Sequence, residues 1–420
     1  MSSASPPPLA PPPRPLPTKR SSRSLAPDVA RGAVLVGIAL ANVPFWLYGV
    51  DRGVLLKPIG SEPDSVANAL TALLFDNRSF PLFALLFAAG LAQITAREAV
   101  RGASWPEARR LLVRRNLWLL AIGAAHGVLL FFGDIITTYA IIGLGLVLLI
   151  RASDRAIIVV GWIGAAALVL MSALDGVGRL VDEVVDGALP TDGSMGDLPD
   201  LSLIPGAAGA ESYPLAILFN VMTWLPNALS TPIIGLGFLA PMCLGILAVR
   251  RGWLDRPHEH RALLMRTAAI GIPISLIGAL PIVLAILDVY ELPPLLEPLA
   301  TMLHGASGLV GAAAALALIA VIAAPSERPG ARPAPGLRWL AALGRRSLTG
   351  YLLQSLVFLI VFSAWAGGLG GEVGAAAASL IALATWLATL ILAIVLEARD
   401  RPGPAEWLLR RLVYGRAATS

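Results

Sequence analysis

About ten stretches of this chain are apolar and long enough to cross a bilayer, and arginines crowd into every second interval between them. The runs lie near 32–50, 78–96, 111–132, 134–151, 156–174, 228–249, 264–287, 300–323, 347–366 and 373–396. A span takes about 20 residues, so these runs fill roughly half of the chain. Inside hydrocarbon every backbone N–H and C=O must be paired within the protein, which leaves helical bundles or closed barrels. The runs are continuous in Leu, Ala, Val and Ile, without the period-two alternation of barrel strands. An all-α, polytopic helical membrane protein is expected. Only 14% of the residues are charged, against about 25% in soluble domains, too few for an ordinary watered surface.

The arginines set the expected orientation. Arg97, Arg101, Arg109, Arg110, Arg114 and Arg115 follow the second run, and Arg151 and Arg155 follow the fourth. Arg250, Arg251, Arg256, Arg261 and Arg266 follow the sixth, and Arg328, Arg332, Arg338, Arg345 and Arg346 the eighth. After the tenth come Arg399, Arg401, Arg410 and Arg411. Basic residues are retained on the cytoplasmic side of spans. An even number of spans with both termini inside satisfies every interval, and a cytoplasmic (inner) membrane is the expected location. The same retention accounts for the net charge of +5 with no nucleic-acid partner.

Residues 1–27 are rich in Pro, Ser and Arg and read as a disordered cytoplasmic tail. They are not expected to be a signal peptide, because the first apolar run is longer than such a segment needs and continues into Asn42, Pro44 and Trp46. Residues 28–415 form the expected transmembrane domain and 416–420 a short tail. The 175–212 segment, with eight Asp and Glu residues, is the expected long extracytoplasmic loop. Residues 65–77 fit an interfacial helix or an outward extension of the second span. Residues 213–227 are too short to span before Pro226 and fit an interfacial segment or a cavity lining. The lone Cys243 excludes an intramolecular disulfide and a cysteine metal site, and is expected simply to pack.

Ionisable groups inside spans are costly, and each is a candidate for function. His126 stands deep in the third run, between Gly123 and Gly127, and imidazole is the side chain best suited to accept a proton near neutral pH. Asp134 stands at the turn into the fourth run, where it could cap the next helix or orient His126. On one straight helix the two would lie about 12 Å apart along the axis, so a dyad requires a chain break near Gly133. Asp28 and Arg31 are spaced to pair on one helix face at the arginine-bearing end. Asn42 needs amide partners in mid-span. His304 is expected near the outer end of its span within reach of water. His258-Glu259-His260 lies in an arginine-rich loop and is too exposed to read as a metal site. Arg109, Arg110, Arg114 and Arg115 could hold a diphosphate as arginine forks do, although topology alone also predicts arginines there.

Several separated blocks then point one way: DVARGAVLVGIALAN (Asp28–Asn42), FPLFALLFAAGLA (Phe80–Ala92), RRNLWLLAIGAAHGVLLFFGDIITTYAIIG (Arg114–Gly143), GRRSLTGYLLQS (Gly344–Ser355) and GPAEWLLRRLVYG (Gly403–Gly415). In order and spacing they resemble the YeiB-like membrane proteins, domain of unknown function 418, over about Asp28–Gly415. Ala88 stands where that pattern has glycine, and Gly350 where it has asparagine, which leaves Tyr351, Gln354 and Ser355 as the polar residues of that block. The family is more distantly similar to heparan-α-glucosaminide N-acetyltransferase and the acyltransferase-3 enzymes. That resemblance implies acyl transfer from cytoplasmic acyl-CoA (acetyl-CoA), a co-substrate rather than a bound cofactor, to an envelope carbohydrate or lipid. It makes His126 the general base or acyl carrier and Asp134 its orienter. Asp28, Arg31, Asn42, Arg114, Arg115, Tyr351, Gln354 and Ser355 become candidates for binding donor or acceptor.

Two other readings compete. A transporter would use the Pro- and Gly-interrupted stretches Pro226–Gly237 and Gly271–Pro281. In a non-catalytic scaffold His126 would bond a backbone carbonyl with no cavity beside it.

Overall fold

The computed structural model describes residues 24–188, 206–327 and 331–415. The expected tails up to residue 23 and from 416, and the middle of the acidic segment, lie outside the described residues. Among the described residues there is no strand, only an isolated bridge between Arg52 and Pro58. Fourteen α-helices follow one another among the described residues. They are α1 (Ala26–Asn42), α2 (Glu62–Leu74), α3 (Ser79–Val100), α4 (Trp105–Leu129), α5 (Ile135–Leu149), α6 (Asp154–Ala188) and α7 (Tyr213–Ile234), then α8 (Leu239–Arg250), α9 (Arg261–Ile286), α10 (Glu297–Ala323), α11 (Pro335–Gly344), α12 (Ser347–Phe362), α13 (Ala375–Ala398) and α14 (Pro404–Tyr414).

Among the described residues, seven helical runs are long and apolar enough to cross a membrane. The helices α5 and α12 are apolar but shorter, and the arginine-bearing start of α4 keeps it out of that count. Large apolar side chains such as Trp162, Leu229, Ile277 and Leu380 point outward. A belt of that kind suits lipid and not water. The chain is a multi-pass membrane protein.

Two boundaries depart from the sequence reading. Pro226 does not end the segment it sits in: α7 runs from Tyr213 through Pro226 and Pro232, then passes by a 3₁₀ turn (Gly235–Phe238) into α8. A proline removes one amide donor and bends a helix, and neighbouring helices can carry the bend. The sixth run therefore begins near Tyr213, not at 228. Helix α6 likewise continues to Ala188, so the first part of the acidic segment extends a helix. Residues 62–74 form a separate helix, α2, opened by a Ser61–Asp64 capping box. It packs on α9 and α13 and turns into α3 at Asn77, whose φ is +56°. Cys243 is buried in an apolar cluster with Tyr139, Leu146 and Met242, as expected.

Small residues bring helix backbones together, the usual packing device in lipid. The tightest case joins α1 to α11. A Cβ on Gly344 would overlap the carbonyl oxygen of Asp28, and one on Gly32 would overlap that of Leu340. Gly344→Ala should therefore cost about 1–3 kcal/mol, the range for overpacking. Gly336, also on α11, has open space at its Cβ position, and Gly336→Ala should stay within about 0.5 kcal/mol. Thermal midpoints of the two variants in detergent check the contrast.

Candidate functional site

The break that a His126–Asp134 contact requires is present. Helix α4 ends at Leu129 and α5 begins after Asp134. The intervening Phe131 stacks on Trp46 at 5.3 Å between ring centroids, and Phe132 meets Phe45 edge-on. These aromatic anchors fold the chain back, so that α4 and α5 pack as an antiparallel pair. Gly123 makes their approach possible, since a Cβ there would sit 2.6 Å from the Thr137 amide nitrogen and 2.8 Å from Asp134 Oδ2.

Asp134 serves both roles open to it. It is the N-cap of α5, accepting hydrogen bonds from the amides of Ile136 (3.2 Å) and Thr137 (2.7 Å). Its Oδ1 also lies 2.8 Å from His126 Nδ1, with both side chains fully buried. On the far side of the ring, His126 Nε2 lies 2.8 Å from Ser355 Oγ, contributed by α12. A carboxylate only accepts, so in a neutral ring Nδ1 carries the proton and Nε2 accepts from the serine hydroxyl. That tautomer is assigned from the partners. The result is a serine, a histidine and an aspartate in hydrogen-bonded line, the arrangement that activates a hydroxyl nucleophile.

Tyr351, one helical turn before Ser355, lays its ring against His126 at 4.9 Å between centroids. Tyr351 also lines a cavity of about 250 Å³. The wall of this cavity passes through Phe83, Phe87, Leu119 and Tyr139 to Ile135 and Tyr351, and at the opposite end carries Arg31, Arg97, Arg115 and Arg345. Arg115 and His126 share α4 and stand about 16 Å apart along its axis. The cavity thus joins four guanidinium groups to Tyr351, whose ring packs on the buried histidine.

The charge balance at the arginine end is positive. Arg31 pairs with Asp28 at 3.1 Å and bonds the Leu86 carbonyl. Arg345 pairs with Glu397 at 2.6 Å. Arg115 lies over the Phe87 ring at 5.3 Å, and its Nη1 is buried with no hydrogen-bond partner among the described residues. The carboxyl on the wall, Glu406 of α14, is turned to Thr349, whose hydroxyl and amide donate to it. Burial pushes the Glu406 carboxyl above its ordinary value against those hydrogen bonds.

Of the residues singled out in the sequence, His126, Asp134 and Ser355 come together, and Arg31, Arg115 and Tyr351 border the cavity beside them. Asp28 stands behind Arg31. Arg114 turns away, into a separate surface groove with Trp105, Arg109 and Arg110. Asn42 is buried at the end of α1, off the cavity wall. Gln354 is buried, with its amide 3.4 Å from the Leu35 carbonyl. His304 is fully buried rather than watered. It bonds the Ala72 carbonyl and Asn77, beside an Arg78 held by Ser275. No residue of α7 or α9, where a transporter reading put its broken helices, lines the cavity.

Four participants were not singled out: Gln93, Arg97 and Glu406 of the cavity wall, and Arg345. The two arginines were read as topology signals alone. A cue was available on α3, because Gln93 and Arg97 at i, i+4 share one helix face.

Residues 248–416 match the model of the family described as protein of unknown function DUF418. The chain is 25% identical over 418 residues to the uncharacterised protein YxaH of Bacillus subtilis (strain 168), covering 95% of this chain and 96% of that one. It is 25% identical over 410 residues to the uncharacterised protein YeiB of Escherichia coli (strain K12), covering 93% and 96%.

Proposed function

As a YeiB-like membrane protein whose residues 248–416 belong to the DUF418 family, this chain is, we propose, a transmembrane acyltransferase. The arginine-rich end faces the cytoplasm and receives an acyl-CoA. Arg31, Arg97, Arg115 and Arg345 hold the donor's phosphates, and the acyl thioester reaches down the cavity to Tyr351. His126, oriented by Asp134, is the base, and the acceptor is an envelope carbohydrate or lipid on the other side. The observation that carries this reading is the cavity that joins four guanidinium groups to the ring packed on a buried His–Asp pair. A scaffold role would have left His126 on a backbone carbonyl without a cavity nearby. Its partners are two side chains.

The test uses neighbouring arginines. Thiol release and label transfer are followed in proteoliposomes supplied with labelled acetyl-CoA. A hydrogen bond to a charged group is worth about 1.5–3 kcal/mol. Arg115→Gln should therefore raise KM for acetyl-CoA by roughly tenfold or more, with kcat changed far less. Arg114→Gln, one residue away but in a different groove, should stay within about twofold. Equal effects of the two, or none from either, would remove the donor site from this cavity. The orientation is checked separately. Cys243 is buried, so cysteines introduced at residues 104 and 61 report their own sides to an impermeant thiol reagent, and only the first should be shielded in intact cells.

A further inference from the structure

We propose that Ser355 is a catalytic residue in its own right: the nucleophile that holds the acyl group as an ester between donor and acceptor. The inference rests on the acyl-transfer reading and adds a covalent step to it.

The geometry points there in three ways. First, a serine inside a helix ordinarily bonds back to the carbonyl one turn earlier. Ser355 Oγ instead reaches across to α4 and sits 2.8 Å from His126 Nε2. Second, both ring nitrogens of His126 are taken, Nδ1 by Asp134 and Nε2 by Ser355. The base can serve no other hydroxyl without first losing the serine, so the group poised for deprotonation belongs to the protein. Third, Ser355 is buried one turn from Tyr351, which borders the donor cavity. Turning the Tyr351 ring aside would open the way from the cavity to Oγ. A residue so placed, between the two ends of the bundle, lets donor and acceptor bind in turn from opposite sides.

The steps balance. Ser355 Oγ attacks the thioester carbonyl carbon while its proton passes to His126 Nε2. The carbon–sulfur bond breaks, and the sulfur leaves as a free thiol with that proton. In the second half the acceptor hydroxyl gives its proton to Nε2 and attacks the ester carbonyl. The bond to Oγ breaks, and Ser355 recovers the proton. Thioester and alcohol become ester and thiol, with the enzyme unchanged.

The experiment supplies labelled acetyl-CoA to the full-length protein in proteoliposomes without acceptor. Wild type should release thiol in a burst of about one equivalent per chain, the signature of covalent catalysis, and carry the label on the peptide holding Ser355. Ser355→Ala should lose the burst and the label, and transfer to acceptor should fall at least about 100-fold. Ser355→Cys should keep the burst and hold the label in a bond that neutral hydroxylamine cleaves, whether or not the alanine variant folds well. Transfer by Ser355→Ala within about threefold of wild type, with His126→Gln inactive, would overturn the serine step while the acyltransferase reading stood. Thiol release by neither wild type nor variants, with any acyl-CoA, would sink both together.

Discussion

Acyl transfer is expected to fall at least about a thousandfold when His126 is replaced by alanine or glutamine, a barrier increase of about 4 kcal/mol. The size follows from the role. A positioned base contributes about 10²–10⁴ in rate, and residues of a hydrogen-bonded relay fail together when one is removed. Alanine leaves a hole between Asp134 and Ser355 in a fully buried spot, so part of its effect would be lost packing. Glutamine is the cleaner variant. Its amide can donate toward Asp134 and can bond Ser355 Oγ, but it does not take up a proton near neutral pH. Detergent-purified His126→Gln should therefore melt close to wild type while its labelled-acetyl transfer is gone. Undiminished transfer by this variant would leave His126 as packing and remove the base from the mechanism.

How far this site could be read from the sequence differs by residue. The helical, membrane-spanning character was legible because it depends only on run length and composition, and hydrocarbon admits few alternatives. His126 was legible for the same reason, as an imidazole at a depth where polar groups need a purpose. The Asp134 contact was legible only as a condition, because it turned on whether the chain breaks at 130–133. Phe131 and Phe132 secure that break by docking on Trp46 and Phe45, residues from another helix entirely. Ser355 was visible as a polar residue but not as the partner of a ring 229 positions away. The glycine of α11 is similar: Gly344 draws Arg345 to the Asp28–Arg31 pair through a backbone contact, and no local pattern encodes which helix that glycine will meet. Pro226 misled because a proline signals a break, and tertiary packing here carries the helix through it.

Asp134→Asn is expected to separate the two roles of that carboxylate. At present Oδ1 accepts from both His126 and the Ile136 amide, and Oδ2 accepts from the Thr137 amide. Asparagine offers one oxygen and one NH₂. With the oxygen turned to Thr137, α5 keeps the shorter of its two caps and loses the 3.2 Å bond from Ile136, and the NH₂ faces His126 Nδ1. The ring must then accept at Nδ1 and carry its proton on Nε2, which turns a donor toward Ser355 in place of an acceptor. The serine loses its base. The opposite flip keeps the tautomer but sets NH₂ against the Thr137 amide, the closer of the two capped amides (2.7 Å against 3.2 Å), so the first orientation gives up the weaker cap. An aspartate-to-asparagine change of this kind lowers kcat by about 10⁴ in serine–histidine–aspartate enzymes, and a fall of about 10³–10⁴ is expected here with KM for acetyl-CoA nearly unchanged. Asp134→Ala should lose activity as well, and in addition about 0.5–2 kcal/mol of stability from the missing cap. The comparison of melting midpoints and kcat across the two variants is the check. Equal melting losses in both, or wild-type turnover by Asp134→Asn, would make Asp134 a helix cap and nothing more.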